Sequence, residues 1–206
     1  MNRSFRSRRG IGDDDGIEYE ARPIETDRLL LRPFEERDLD AMYAIWSRPD
    51  VVRLLYQEPQ TREQTAEMVR LKAGRRVLRA DGDYMNLAID LRSTGELIGD
   101  SLLALHSVAN RQGEIGFVLH PDHHGNGYAT EASRSLLRIA FEELGLRRLI
   151  ANAFADNEPS WRLMERVGMR RELYAVKESL HRSGEWLDGI SYALLAEEWS
   201  RLRSTT

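Results

Sequence analysis

The sequence predicts one α+β domain, a sheet with helices packed on its faces, and three observations predict it. Length is the first: 206 residues suit a single large domain with a substantial apolar core. Composition is the second, because 41% hydrophobic residues match ordinary globular proteins while 31% charged residues supply a well-solvated surface. The third is the alternation of period along the chain: one strand, two helices, three strands, a helix, a strand, a helix and two strands.

The first strand is read from Arg28, where the short apolar run RLLLRPF is punctuated by Pro33, as in a strand covered on both faces. Residues 36–47 then place Leu39, Met42, Tyr43 and Trp46 at helical spacing. Thr61 and Gln64 form a capping-box pair that opens a second helix, with an apolar stripe predicted at Met68, Leu71 and Leu78. Three strands are expected at 84–91, 96–105 and 113–120, separated by turn-like segments at Arg92 to Gly95 and Asn110 to Gly113, and they should pair as antiparallel hairpins. After His120 the period lengthens, and Ala129, Ala132, Leu136, Leu137, Ala140 and Leu144 mark one side of a helix that stops before Gly145. A strand at 147–155 follows. The helix at 158–167 turns Leu163, Met164 and Val167 inward and ends at Gly168, and strands at 171–179 and 186–195 close the sheet.

Residues 1–22 read as a solvated tail, since the basic block Arg3, Arg6, Arg8 and Arg9 precedes the acidic block Asp13, Asp14 and Asp15 without hydrophobic periodicity. The remainder, 23–206, reads as one domain. A net charge of −4 supplies no global positive field for nucleic acid or an anionic membrane. The absence of cysteine excludes disulfides, thiolate metal sites and a cysteine nucleophile, and it suits a reducing cytosol. There is neither an apolar run of roughly 20 residues nor the apolar segment of a secretory signal, so a cytoplasmic location is expected.

The stretch EIGFVLHPDHHGNGYATEA, residues 114–132, carries the most chemistry. A strand passes through a glycine-containing loop directly into a helix, and the first turn of a helix presents unpaired amides and roughly half a positive charge. The amides around His124, Gly125, Asn126, Gly127, Tyr128, Ala129 and Thr130 can therefore hold phosphate without lysine. Gly125 and Gly127 permit close approach and the positive φ of an amide nest. A second patch, NEPSWRLMERVGM at 157–169, reads on its own terms as a helix capped by Asn157 and closed by Gly168. His120, His123 and His124 cluster, but with no cysteine nearby a metal site is not expected. Trp46, Tyr56, Trp161 and Trp186 read as core or cleft aromatics.

In order and spacing the two patches resemble the GNAT superfamily of N-acetyltransferases, and the resemblance spans about residues 25–196. The opening TDRLLLRPFEERDLD, residues 26–40, looks like the Rim-type branch, which acetylates N-terminal alanines of ribosomal proteins. The resemblance implies a mixed, mostly antiparallel sheet of six to seven strands with about four helices on its faces. It also implies that this sheet is splayed between its fourth and fifth strands (113–120 and 147–155). Acetyl-CoA is then the cosubstrate, with its diphosphate on residues 124–130, its pantetheine arm along Phe117, Val118 and Leu119, and Asn157 and Ser160 on the far wall.

Two positions depart from the family pattern. Asp122 stands where the loop usually begins with Gln or Arg, and Met164 stands where many members carry the tyrosine that protonates the departing thiolate. From the Rim-type branch, the base carries over onto Glu114 and the acid onto Ser160. Without the resemblance, Glu114 reads as a solvated strand carboxylate and Ser160 as a local helix cap. Glu114 precedes His120 by six positions, about 20 Å along a strand, which lets phosphates and thioester occupy opposite ends of one cleft.

The expected activity is acetyl transfer to a primary amine, a peptide N-terminus first. A small-molecule amine, or a non-catalytic acyl-CoA-binding role, are the alternatives. The segments expected to choose the acceptor are 46–62 and 174–188, with Glu58, Glu178 and Glu185 available to attract a cation. A monomer or homodimer is expected.

Overall fold

The computed structural model describes residues 16–204 apart from Leu54 and Tyr56, so the charge blocks before residue 16 and the aromatic Tyr56 lie outside the described residues. Ten strands appear there: β1 (Tyr19–Glu20), β2 (Ile24–Glu25), β3 (Leu29–Pro33), β4 (Val77–Leu78), β5 (Tyr84–Leu91), β6 (Leu97–Ser107), β7 (Gln112–Leu119), β8 (Arg148–Phe154), β9 (Arg170–Leu180) and β10 (Trp186–Leu195). The helices are α1 (Leu39–Trp46), α2 (Pro49–Val52), α3 (Arg62–Gly74), α4 (Tyr128–Arg138), α5 (Glu158–Arg166) and α6 (Ala196–Ser204).

Eight strands form the main sheet in the order β2-β3-β5-β6-β7-β8-β10-β9, and β1 pairs with β4 in a second small sheet. All neighbours in the main sheet are antiparallel except β7 and β8, which run parallel with α4 between them in the chain. This is the predicted α+β architecture with one strand more than the expected range. The additions β1, β2 and β4 are two residues each, too short to show any period. Part of the segment read as a tail is structured: Ile17 and Tyr19 are buried, and Tyr19 pairs opposite Leu78.

Two apolar clusters lie on the two faces of the sheet. The larger joins Met85, Leu87 and Ile89 of β5 and Ile115 of β7 to Leu136 of α4, Leu163 of α5 and Trp199 of α6. The smaller packs Met42, Ile45 and Trp46 of α1, Val52 of α2 and Val69 of α3 on Phe34 and Ala88. Because successive strand residues point to opposite faces, Glu114, Gly116 and Val118 share the face of α1 and α3, whereas Ile115, Phe117 and Leu119 face α4.

The capping box of α3 is present, with Thr61 N–H donating to Gln64 Oε1 at 2.8 Å and Gln64 N–H to Thr61 Oγ1 at 3.3 Å. Its predicted stripe holds at Met68, which packs on the smaller cluster, and needs correction at Leu71 and Leu78. Thr65 and Val69 are buried, Leu71 is 47% exposed, and Leu78 belongs to β4 because the helix ends at Gly74. Lys72 completes the inward row, paired with Asp100 and lying 5.2 and 5.3 Å from the ring centroids of Phe34 and Trp46. Burial pushes its ammonium down to about 7. The helix predicted to stop before Gly145 is α4 followed by a π-helical turn, Ile139–Glu143.

A second buried charge cluster ties β3 to the helices. Arg32 donates through Nε to Asp90 at 2.6 Å and through Nη2 to Asp38 at 2.7 Å, with both carboxylates almost fully buried. Arg32→Met is expected to cost about 3–5 kcal/mol, because it strands two carboxylates in a dry site. The midpoint of denaturant unfolding reads this loss. Among the described residues, no helix is long and apolar enough to cross a membrane.

Candidate active site

Strands β7 and β8 pair at only three positions, Gln112 with Arg148, Gly113 with Leu149 and Glu114 with Ile150. Gly113 permits the close packing here, since a Cβ there would meet Ala104 O of β6 at 2.5 Å, Leu146 Cδ1 at 2.9 Å and Leu149 Cδ2 of β8 at 3.2 Å. Beyond Glu114 the strands part, while β7 stays paired with β6 and β8 with β10 to their ends. The splay predicted between these strands is therefore present. Its β7 wall, Phe117 to Leu119, has an open strand edge, the form of backbone that an extended ligand can pair with.

At the wide end of the split, Gly125 and Gly127 have φ of +77° and +81°, the left-handed conformations predicted for them. Gly127 is the N-cap of α4 and brings no side chain, so no side-chain group caps the helix. Its carbonyl accepts from Glu131 N–H at 3.1 Å, which leaves the amides of Tyr128, Ala129 and Thr130 as the exposed positive end of α4. Asn126 braces the loop from within, its Nδ2 donating to the carbonyls of His123 and His124 at 3.3 and 3.1 Å. The three histidines have separate partners. His120 Nδ1 accepts from Asp122 N–H, His123 Nε2 lies 3.4 Å from Glu96, and His124 Nε2 donates to Leu119 O at 3.1 Å.

Glu114 stands at the vertex of the split. Oε2 is 2.8 Å from His106 Nε2, and Oε1 accepts from Asn152 Nδ2 at 3.2 Å. Asn152 is oriented in turn by Ser191 Oγ, which donates to its Oδ1 at 2.6 Å. Four side chains from β6, β7, β8 and β10 thus make one chain of hydrogen bonds across the sheet. Both carboxylate oxygens are held, yet each keeps a lone pair for a further donor. His106 was missed by sequence reasoning for a definite reason: the β6–β7 register slips between Leu105 and Ser107, so His106 is the extra residue of a β-bulge that aims it at Glu114. Asn152 and Ser191 could have been found only as polar residues in otherwise apolar strands.

Asn157 caps α5 as read, its Oδ1 accepting from Ser160 N–H at 3.3 Å, and Trp161 Nε1 donates to Ala155 O at 3.2 Å. Ser160 is half-buried in the first turn of α5, beyond the end of β8, whereas Glu114 is level with Ile150, four residues back. Met164 is 2% exposed and belongs to the core, so this position presents nothing to the cleft.

The two segments expected to choose the acceptor touch each other. Arg182 of the β9–β10 hairpin donates to the carbonyls of Val52 and Gln57 and lies 3.6 Å from Glu58. A cavity of about 90 Å³ lies between them, lined by Leu55, Glu58, Phe154, Leu180 and His181 among others. Trp186, read as a core or cleft aromatic, is 56% exposed, and it lies where β10 has passed the end of β8, which it pairs with only from Gly189 onward. A larger depression of about 390 Å³ between the π turn and α6 lies away from the split.

A sheet opened beside an uncapped helix N-terminus, with a carboxylate at the vertex, is the arrangement of an acyltransferase that takes an extended, diphosphate-bearing donor. Residues 28–170 match the acetyltransferase (GNAT) domain, and the chain belongs to this family of N-acetyltransferases. Among its relatives, the uncharacterized N-acetyltransferase YnaD of Bacillus subtilis (strain 168) is 33% identical over 177 residues, 86% of this chain and 99% of its own length. YdaF of the same organism, a ribosomal N-acetyltransferase-like protein, is 35% identical over 119 residues, 57% of this chain and 63% of its own length. In the crystal structure of a GNAT-family acetyltransferase from Bacillus anthracis the fold recurs with a TM-score of 0.76 at 34% identity, covering 85% of this chain and 99% of that one.

Proposed function

We propose that this N-acetyltransferase moves the acetyl group of acetyl-CoA to the N-terminal amine of a protein or peptide, with Glu114 as the base. The observation that carries the reading is the alignment of three features on one split: the uncapped amides of α4, the open edge of β7, and Glu114 at the vertex. These residues fit the donor. The amides of 125–130 suit a diphosphate, while that of His124 already donates to Pro121 O at 3.0 Å; Phe117 to Leu119 suit the pantetheine arm, and Asn157 and Ser160 are assigned to the far wall. When bound, acetyl-CoA supplies the activated acyl group as a thioester. The peptide N-terminus is supported by the Rim-type opening at 26–40 and by the likeness to YdaF.

A free α-amine has a pKa of about 8 and is mostly protonated at neutral pH. Glu114 accepts that proton directly or through one water, so that nitrogen attacks with its lone pair free. His106 and Asn152 hold the carboxylate with its remaining lone pairs turned outward. Ser160 then donates its hydroxyl hydrogen to the departing sulfur, the role that Met164 cannot fill. Asn152→Ala removes one donor to the charged group and is expected to lower kcat roughly tenfold, with KM for acetyl-CoA unchanged in initial-rate assays.

A thiol-release assay with a panel of N-terminal peptides, polyamines and amino sugars tests the proposal. Turnover with a peptide amine is expected. Turnover confined to small amines would overturn the acceptor, and no turnover with any amine despite coenzyme binding would overturn the activity.

A further inference from the structure

Asp122, just before residues 124–130, brings no positive charge to them, yet a guanidinium reaches them from 98 positions upstream. Arg28, just before β3, donates through Nη1 to the carbonyl of Asn126 at 2.9 Å and through Nε to Glu131 Oε2 at 2.8 Å, with Nη2 at 2.7 Å from the same oxygen. Its own backbone N–H and the hydroxyl of Thr26 hold Glu131 Oε1 at 2.9 and 2.6 Å. The guanidinium also lies over the ring of Tyr128, 4.7 Å from its centroid.

We infer that Arg28 is a positioning residue for donor binding: it fixes the Asn126–Gly127 peptide and neutralises Glu131 beside the phosphate-binding amides. This rests on the reading of residues 124–130 as the diphosphate site. In a trans peptide the C=O and N–H point in opposite directions, so anchoring the Asn126 carbonyl on Arg28 turns the Gly127 N–H away from Arg28 and frees it for a ligand. Glu131 sits in the first turn of α4, where an unpaired carboxylate competes with a bound anion for the helix dipole. Burial opposes its ionisation, but hydrogen bonds from Thr26 and Arg28 win and hold it below the usual carboxylate range. It is therefore ionised, and Arg28 is the positive charge that screens it. A lysine offers a point charge and cannot engage the carboxylate and the carbonyl at once in this fork geometry.

Isothermal titration of CoA into the full chain and its variants, paired with initial rates, tests the inference. Arg28→Ala is expected to raise the Kd of CoA and the KM for acetyl-CoA at least tenfold while kcat at saturation stays within about twofold. Arg28→Lys, which keeps the charge and guards against a folding defect in the alanine variant, should recover only part of the affinity. Adding Glu131→Gln to Arg28→Ala should recover affinity by removing the unscreened charge. Wild-type affinity in both Arg28 variants would overturn the inference alone. A fall in kcat with no change in Kd would overturn it too. If the unaltered chain fails to bind CoA, the diphosphate reading fails and this inference fails with it.

Discussion

Replacing Glu114 by glutamine is expected to lower kcat/KM by about two to four orders of magnitude, the range a positioned general base supplies. The side chain keeps its size and can still accept from Asn152, so the vertex of the split stays filled. What it loses is the ability to take the proton of the attacking amine. Its new amide hydrogens also face His106 Nε2, which has to present a lone pair instead of a proton. The Kd of CoA, read by calorimetry, should change little, because the base lies at the opposite end of β7 from residues 124–130. Turnover close to that of the unaltered chain would remove Glu114 from the chemistry and leave it as a surface carboxylate paired with a histidine.

The second large effect is expected at Gly127. Its φ of +81° is strained for any β-branched side chain, and a Cβ there would stand 3.4 Å from Arg28 Nη2. Gly127→Val should therefore either turn the peptide out of the left-handed region or displace Arg28. Strain of about 1–3 kcal/mol at such a position corresponds to a loss of roughly 5- to 150-fold in CoA affinity. Because Gly127 is exposed at the start of α4, most of the effect should appear in binding, and the unfolding midpoint should move far less. Unchanged affinity would show that the amides of this loop do not hold the donor.

The parts of this molecule that sequence shows and hides differ in a physical way. β5 was legible because Tyr84 to Leu91 is an apolar run between turn residues, and the αL conformations of Gly125 and Gly127 because glycine adopts them without strain. The apolar side of α4 could be read for similar reasons, whereas Glu114 was singled out only through the family resemblance. The stripe of α3 was misread because a lysine paired with Asp100, not a leucine, completes its inward face, and long-range pairing of charges leaves no trace in hydrophobic spacing. The same limit hid the Arg32 cluster, where partners stand 6 and 58 positions apart. It also hid the clamp on Glu131, formed by Arg28 across 103 residues. His106 was hidden by a register slip, which no periodicity announces. The hydrogen-bonded surroundings of the candidate site come from residues distant in sequence, while residues 124–130 and Glu114 lie on one continuous segment.

Hydrogen–deuterium exchange of the backbone amides, with and without CoA, tests the central claim most directly. Protection should appear in the amides of residues 125–130 and along Phe117 to Leu119, with that of α6 unchanged. Exchange at 125–130 that is the same with and without saturating CoA would contradict the assignment of the split between β7 and β8 as the donor site.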